Sequence, residues 1–212
     1  MDRFWLTRLA RVKAALEDNG FSAHVAEDGD AARRLVEKLI EETRPASISW
    51  GGSETVVSLG LYDPLKARRD VRIIDTFDKT APREEILERR RQALLADLFI
   101  TGSNAVTEDG WLVNLDMIGN RVAALVYGPR SVVVLAGRNK IVSGLEQARD
   151  RIKTVAAPAN AMRLDKKTPC AATGRCQACK SQDRICNVWT ITEKSYPKGR
   201  ITVVMINRDM GL

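Results

Sequence analysis

Every thiol of this chain lies in one short stretch. Cys170, Cys176, Cys179 and Cys186 fall within CAATGRCQACKSQDRIC, seventeen of 212 residues. Thiolates are soft ligands that suit zinc, iron and iron–sulfur clusters. The spacing is C-x5-C-x2-C-x6-C, and its central pair can converge from a single turn. Thr173-Gly174 and Ser181-Gln182-Asp183 are bendable connections on either side, and Pro169 sets the entry. Between Arg163 and Arg184 stand six Lys or Arg against Asp165 and Asp183, a local net charge of +4. Such cations offset thiolate charge and lower thiol pKa values. Structural zinc sites commonly use two short cysteine pairs. With one short pair and two wider gaps, the expected cofactor is a [4Fe–4S] cluster, with zinc as the alternative. Uncomplexed thiols, or a redox pair of Cys176 and Cys179, are the plainer reading. If one cysteine is not a ligand, an iron is open to substrate.

Three polar loops follow apolar runs. SWGGSETV (49–56) puts Gly51, Gly52 and Ser53 at a strand end before a helix start. Glycines let backbone N–H groups approach a ligand, and Ser53 can cap the helix or meet the ligand. A tight turn before a capped helix is the bland alternative. The stretch is neither a P-loop nor a dinucleotide fingerprint. TGSNAVTEDG (101–110) places Ser103, Asn104, Thr107, Glu108 and Asp109 after another apolar run, on the sheet edge where open α/β folds bind ligands. Glu108 is a candidate general base or nucleophile, or else a turn acid beside Asp109-Gly110. Gly119-Asn120-Arg121 forms a further polar turn after Asp116, and Arg121 is a candidate carboxylate or phosphate clamp. In GRNKIV (137–142), Lys140 is the best single anion-binding candidate and a second catalytic one. The lone histidine, His24, sits on a short apolar segment and reads as structural. A Ser–His–Asp triad or a histidine-based zinc hydrolase is thereby disfavoured.

The elements that position these loops alternate. Residues 3–18 carry Trp5, Leu9, Val12 and Leu16 at helical spacing before Asn19-Gly20. FSAHV (21–25), ASISW (46–50), VRIIDTF (71–77), ADLFITG (96–102), GWLVNLD (110–116), SVVVLAG (131–137) and RITVVMI (200–206) read as strands. DAARRLVEKLIEETR (30–44), REEILERRRQALL (83–95) and GLEQARDRIK (144–153) read as helices, the last with Ser143 and Glu146 as a capping box. RVAALVYG (121–128) fits helix or strand. SVVVLAG suits an interior strand of a parallel sheet. The expected class is α/β, with a parallel or mixed sheet flanked by helices. A single domain over residues 1–212 is expected, with the cysteine segment at 165–190 as an excursion within it. A small C-terminal lobe is the competing organisation.

Net charge is +7 and the pI about 9.4, which favours anionic partners without naming them. Hydrophobic residues make up 44%, enough for a sizeable core. No run of eighteen apolar residues occurs, so no membrane span is expected. The start lacks a secretory pattern, and the expected compartment is the cytoplasm.

SWGGSETV, ADLFITGSNAVTEDGWLVNLD, GNRVAALVYGP, AGRNKIV, AAPANAMRL and TPC...GRC..C....RIC together resemble the lactate-utilisation (LUD) domain family, which includes the LutC-like proteins. They span about residues 49–187, roughly two thirds of the chain. The resemblance implies a fold similar to the NagB/RpiA/CoA-transferase-like group, which handles sugar phosphates and CoA esters. It implies that Gly51, Gly52, Ser53, Ser103, Asn104, Glu108, Gly119, Asn120 and Lys140 line a pocket. LutC-like members are tied to oxidation of lactate to pyruvate within a multi-protein iron–sulfur system. This chain lacks a ferredoxin-type cysteine array and any flavin or nicotinamide fingerprint, so a hydride-transfer site is not implied.

The first expectation is therefore an iron–sulfur protein that binds a small carboxylate or other anion. It would act as accessory subunit or electron relay in lactate or 2-hydroxy-acid metabolism. The expected partners are that metabolite, a redox protein and, in a homo-oligomer, other copies of the chain. A second expectation is a non-redox transferase or isomerase using Glu108 or Lys140, with a structural four-cysteine metal site. A nucleic-acid module is less favoured, since only Trp189 offers a stacking ring near the cysteines. A metal-stapled, partner-binding protein without catalysis is the fourth.

Overall fold

The computed structural model describes residues 2–212. Its elements in order are α1 (Asp2–Asp18), β1 (Ser22–Ala26), α2 (Gly29–Thr43), β2 (Ser47–Trp50), α3 (Glu54–Ser58), α4 (Tyr62–Ala67), β3 (Arg72–Ile74) and α5 (Arg83–Gln92). Then come β4 (Leu98–Gly102), β5 (Ala105–Thr107), β6 (Leu112–Asp116), α6 (Asn120–Val126), β7 (Ser131–Gly137) and β8 (Ile141–Val142). The chain continues through α7 (Leu145–Arg151), a π-helical turn (Ile152–Ala156), α8 (Ala157–Arg163), α9 (Pro169–Thr173), β9 (Val188–Thr192) and β10 (Ile201–Ile206).

The main sheet is six-stranded and parallel throughout, in the order β1-β10-β7-β4-β2-β3. Its central strands are apolar on both faces, as a doubly covered parallel sheet requires. Alternation divides β7 cleanly. Val132, Val134 and Ala136 pack with Leu9, Val12 and Leu16 of α1 and with Leu125 of α6. Val133 and Leu135 pack on the other face with Val36 and Ile40 of α2 and with Trp50. The class is α/β, with a mostly parallel sheet flanked by helices, as the alternation of segments indicates.

A second sheet, in the order β8-β5-β6-β9, leaves the first at the end of β4. Strands β5 and β6 form an antiparallel hairpin, β8 joins β5 in parallel, and β9 pairs antiparallel with β6. Strands β5 and β8 have three and two residues, β9 is a five-residue strand with no buried side chain to mark it, and no strand is expected at any of them from local pattern. Two- and three-residue strands carry too few side chains for a period to show.

Other differences have local causes. Expected strand 71–77 stops at Ile74, because the Asp75 carboxylate accepts the Phe77 N–H at 2.8 Å and turns the chain. RVAALVYG is a helix, α6, which begins after Gly119 at φ 88° and buries Arg121, Val122, Ala124 and Leu125 on one side. The capping box of Ser143 and Glu146 does not form. The cap residue is Gly144, with no side-chain cap bond, so Ser143 lies one position too early to reach the third helical N–H. The helix at 144–153 instead runs on through the π turn into α8. Pro158 follows the π turn within this continuous helix, where its ring cannot donate a backbone hydrogen bond to the preceding turn.

Candidate functional site

The chain leaves β2 toward β3 on one side of the sheet. It leaves β4, by way of the small sheet, toward β7 on the other. Loops that diverge from neighbouring parallel strands open a crevice at their C-terminal ends. A cavity of about 740 Å³ lies there. It receives Gly52, Ser53 and Glu54 from beyond β2, Gly102 to Asn104 from the end of β4, and Lys140 from beyond β7. Further lining comes from Phe77, Asp78, Lys79 and Ala81 of the loop before α5 and from Arg83, Ile86, Leu87 and Arg90 of α5. Ala156, Asn160 and Arg163, at helical spacing across the π turn and α8, supply another side. A π turn rotates the following residues about the helix axis, a device common at functional sites.

Arg121 is the organiser of this end of the sheet. Its guanidinium donates to the Asp116 carboxylate at 3.1 Å, the Gly102 carbonyl at 3.0 Å and the Asn114 amide oxygen at 2.7 Å. It also donates to the Asn104 amide oxygen at 2.9 Å and the Leu115 carbonyl at 3.3 Å. A guanidinium has five N–H donors, and all five are engaged. Arg121 lines the cavity but is a buried brace for β4, β6 and the 104 loop, not the free clamp expected of it. Asn104 is held through its oxygen by Arg121 and by the Leu115 N–H at 3.0 Å, which leaves its NH₂ group for the cavity.

Lys140 is the buried cation of the site, only 4% exposed. Its Nζ donates to Thr55 Oγ1 at 2.8 Å. Among the described residues no carboxylate lies within ion-pair distance of it. Burial, then Arg151 and Arg121, pull its pKa from 10.5 down to about 7, and Glu54 opposes this weakly. Removing an ammonium from water disfavours the charged form. At neutral pH both forms of the amine are populated.

The glycines act by close approach. A Cβ on Gly102 would overlap Ser53 Oγ and come within 3.1 Å of the Leu135 carbonyl. A Cβ on Gly51 would lie 2.8 Å from Arg121 Cγ. Ser53 caps α3 by accepting the Val56 N–H at 3.4 Å. Of the expected pocket residues, Gly52, Ser53, Ser103, Asn104, Asn120, Arg121 and Lys140 line the cavity. Gly51 and Gly119 stand behind it, shaping the β2 end and the start of α6. Ser103 faces its own strand, donating to the Ala105 carbonyl at 2.8 Å.

Glu108 is placed elsewhere. It is outside the cavity lining, held by Arg8 at 2.7 Å and by Arg11, both from α1. Long-range pairing of this kind has no signature in a local motif, so its turn acid setting and its acid–base candidacy look alike in sequence. Conversely, Lys79, Arg83, Arg90 and Arg163 line the cavity although the sequence singled none out. Arg90 lies in a basic run that reads as complement to the helix dipole. Arg163 pairs with Glu54 at 3.1 Å. Lys79, Arg83, Arg90 and Lys140 have no carboxylate partner among the described residues, so the cavity wall carries unneutralised positive charge.

The cysteine segment borders this cavity. Ile185 lines it, while none of the four cysteines does. Arg184 ties the segment together by donating to the carbonyls of Cys179 at 2.8 Å and Cys186 at 2.9 Å. The Asn187 N–H donates to the Asp116 carbonyl at 2.9 Å, which fastens the segment to β6. All four thiols are free and partly exposed, and Lys153 Nζ lies 3.9 Å from Cys186 Sγ. Among the described residues no three Cys, His, Asp or Glu side chains are gathered as a metal site. The donor set and its cationic surroundings fit a thiolate-ligated metal in kind, without an assembled coordination geometry. No helix among the described residues is long and apolar enough to cross a membrane.

No curated protein matches this sequence. Among solved structures, a DUF162 family protein from Deinococcus radiodurans is similar, with a TM-score of 0.52 and 15% identity. The alignment covers 96% of this chain and 98% of that one. The family model described as LUD domain matches residues 9–206, nearly the whole length. By that match the chain belongs to the LUD domain family, which is linked to lactate utilisation.

Proposed function

We propose that the cavity binds a small metabolic carboxylate of the 2-hydroxy-acid type, and that the protein serves its oxidation as an accessory or electron-relay component. The observation that carries this reading is Lys140: a buried amine, without a carboxylate partner, on the wall of a cavity with three further unpaired cations. A carboxylate entering there meets positive charge in partly desolvated surroundings, where its attraction is stronger than in water. Ser53, Asn104 and Asn120 supply neutral donors beside it. In the same reading Cys170, Cys176, Cys179 and Cys186 hold a [4Fe–4S] cluster at the rim, which would supply one-electron transfer. Two-electron oxidation of an alcohol then requires a redox partner protein.

The test is equilibrium binding of lactate, with inorganic phosphate as a second probe. A bound anion favours the charged form of Lys140, so binding takes up a proton above pH 7. Affinity is therefore full below the free-state pKa of about 7 and falls as pH rises through it. Between pH 6 and pH 8 the expected weakening is about ten-fold, the fall in the protonated fraction of one group that titrates midway between them. Lys140→Met should weaken binding and abolish this pH dependence. Absence of lactate and phosphate binding, or binding indifferent to Lys140→Met, overturns the reading.

The cavity volume favours one other ligand class. About 740 Å³ is large for a three-carbon acid and within the range of sites for larger molecules. A phosphorylated or CoA-linked acid would fill it, and phosphate binding tighter than lactate binding would favour that class.

A further inference from the structure

We propose that Lys140 captures the carbonyl form of the ligand covalently, as an imine with a 2-oxo acid. This rests on the carboxylate-binding reading of the cavity and deepens it. The geometry is that of a nucleophilic amine rather than of a permanent cation. Lys140 is 4% exposed and lines the cavity, and its Nζ is oriented by a single hydrogen bond to Thr55 Oγ1 at 2.8 Å. Thr55 is itself buried, and its hydroxyl is donated onward to the Met210 carbonyl at 3.3 Å, so it accepts from the amine. Glu54, the nearest opposing charge, is engaged by Arg163 at 3.1 Å. Arg151 is fixed beside the site by donating to the carbonyls of Asn139 at 2.9 Å and Asn104 at 2.8 Å. Desolvation together with a neighbouring fixed cation is how a lysine is kept as a free-base nucleophile. The fall of its pKa to about 7 agrees with this arrangement.

The chemistry balances without an added oxidant or reductant. The neutral amine forms an N–C bond to the carbonyl carbon while the C=O π pair moves to oxygen, which takes up a proton as nitrogen loses one. The nitrogen lone pair then closes the C=N bond, and the hydroxyl leaves with a proton as water. The net change is amine plus 2-oxo acid to imine plus one water. Lys79, Arg83 and Arg90, which also line the cavity, are the unpaired cations available to the carboxylate of the acid. A 2-hydroxy acid binds in the same cavity but has no carbonyl to react.

The experiment uses pyruvate as carbonyl probe and lactate as its non-reacting counterpart. The full-length protein is incubated with each in borohydride, which reduces an imine to a stable amine, and the modified lysines are mapped by peptide mass. Pyruvate should leave a carboxyethyl group on Lys140, at neutral pH at least about ten-fold more than on any exposed lysine, whose ordinary pKa keeps it charged. Labelling of the saturated protein should rise with pH, with its midpoint above the free-state value of about 7 because the bound carboxylate favours the ammonium. Lys140→Met should remove that label without raising the labelling of any other lysine, and mapping the unaltered protein guards against a misfolded variant. If pyruvate binds and Lys140 is labelled no more than surface lysines, the imine is overturned and the carboxylate site stands. If neither pyruvate nor lactate binds, both are overturned.

Discussion

Arg121 and Lys140 show how two cations in one cavity come to opposite uses. Both are buried, and burial of a charge is tolerated only when the charge is satisfied or surrendered. Arg121 cannot surrender its proton, so it is satisfied by five acceptors from three segments of chain. Lys140 has one hydrogen bond and no counter-ion, so its charge becomes labile. An ammonium cannot reproduce the planar fork of a guanidinium. Arg121→Lys should therefore destabilise the fold by about 3 kcal/mol, since it breaks the buried ion pair with Asp116 and the bonds to the Gly102 and Leu115 carbonyls. Chemical denaturation would measure this, and an unchanged midpoint would refute the bracing role. As residue types, both were legible as functional candidates. Their division of labour was not, because it depends on acceptors as far as 19 positions away for Arg121 and 85 for Lys140.

At the scale of elements, the loops after β2, β4 and β7 matter as a set. The strand ends are adjacent because the sheet is parallel, and their spacing is set by glycines that allow contact without side chains. Gly102 passes against Ser53 and the Leu135 carbonyl, and so couples all three loops. Gly102→Ala must push Ser53 away from the cavity or part β4 from β7. The expected cost is about 1–3 kcal/mol, the range for overpacking, with anion affinity lost by more than stability alone explains. Calorimetric binding beside a thermal melt would separate the two, and full affinity at reduced stability would show that Ser53 is not needed. Strand patterns and glycine loops were plain in the sequence here. The small sheet was not, because β5 and β8 are too short to carry a period. Nor was the position of Glu108, which depends on α1 folding back to present Arg8 and Arg11.

On the scale of the whole molecule, the cysteine segment and the cavity are neighbours joined through Ile185 and Asn187. The hairpin arm β6 receives β9 immediately after the last cysteine, so the segment is anchored at its exit by sheet pairing. A cluster held there would sit beside the ligand without any cysteine lining the cavity. Protein purified without oxygen should contain iron and sulfide, show broad visible absorption, and lose both on Cys176→Ser. One equivalent of zinc with no visible colour would reject the cluster and keep the segment as a staple. A metal that gathers these thiols would also protect residues 170–186 from proteolysis, because ligation orders chain that otherwise has little regular structure.

What the sequence by itself determined is what local order encodes. The β-branched runs, amphipathic helices and glycine loops specified the α/β class, the strand ends, and Gly52 with six of the cavity's polar residues. The cysteine spacing specified a donor set. Only tertiary structure decided which of those residues share a space. Burial is a property of neighbours distant in the chain, so Lys140 could be named from its loop, but its lost counter-ion could not. The same holds for the bracing of Arg121, for Glu108 turned toward α1, and for the unpaired cations of α5 that share the cavity with Lys140.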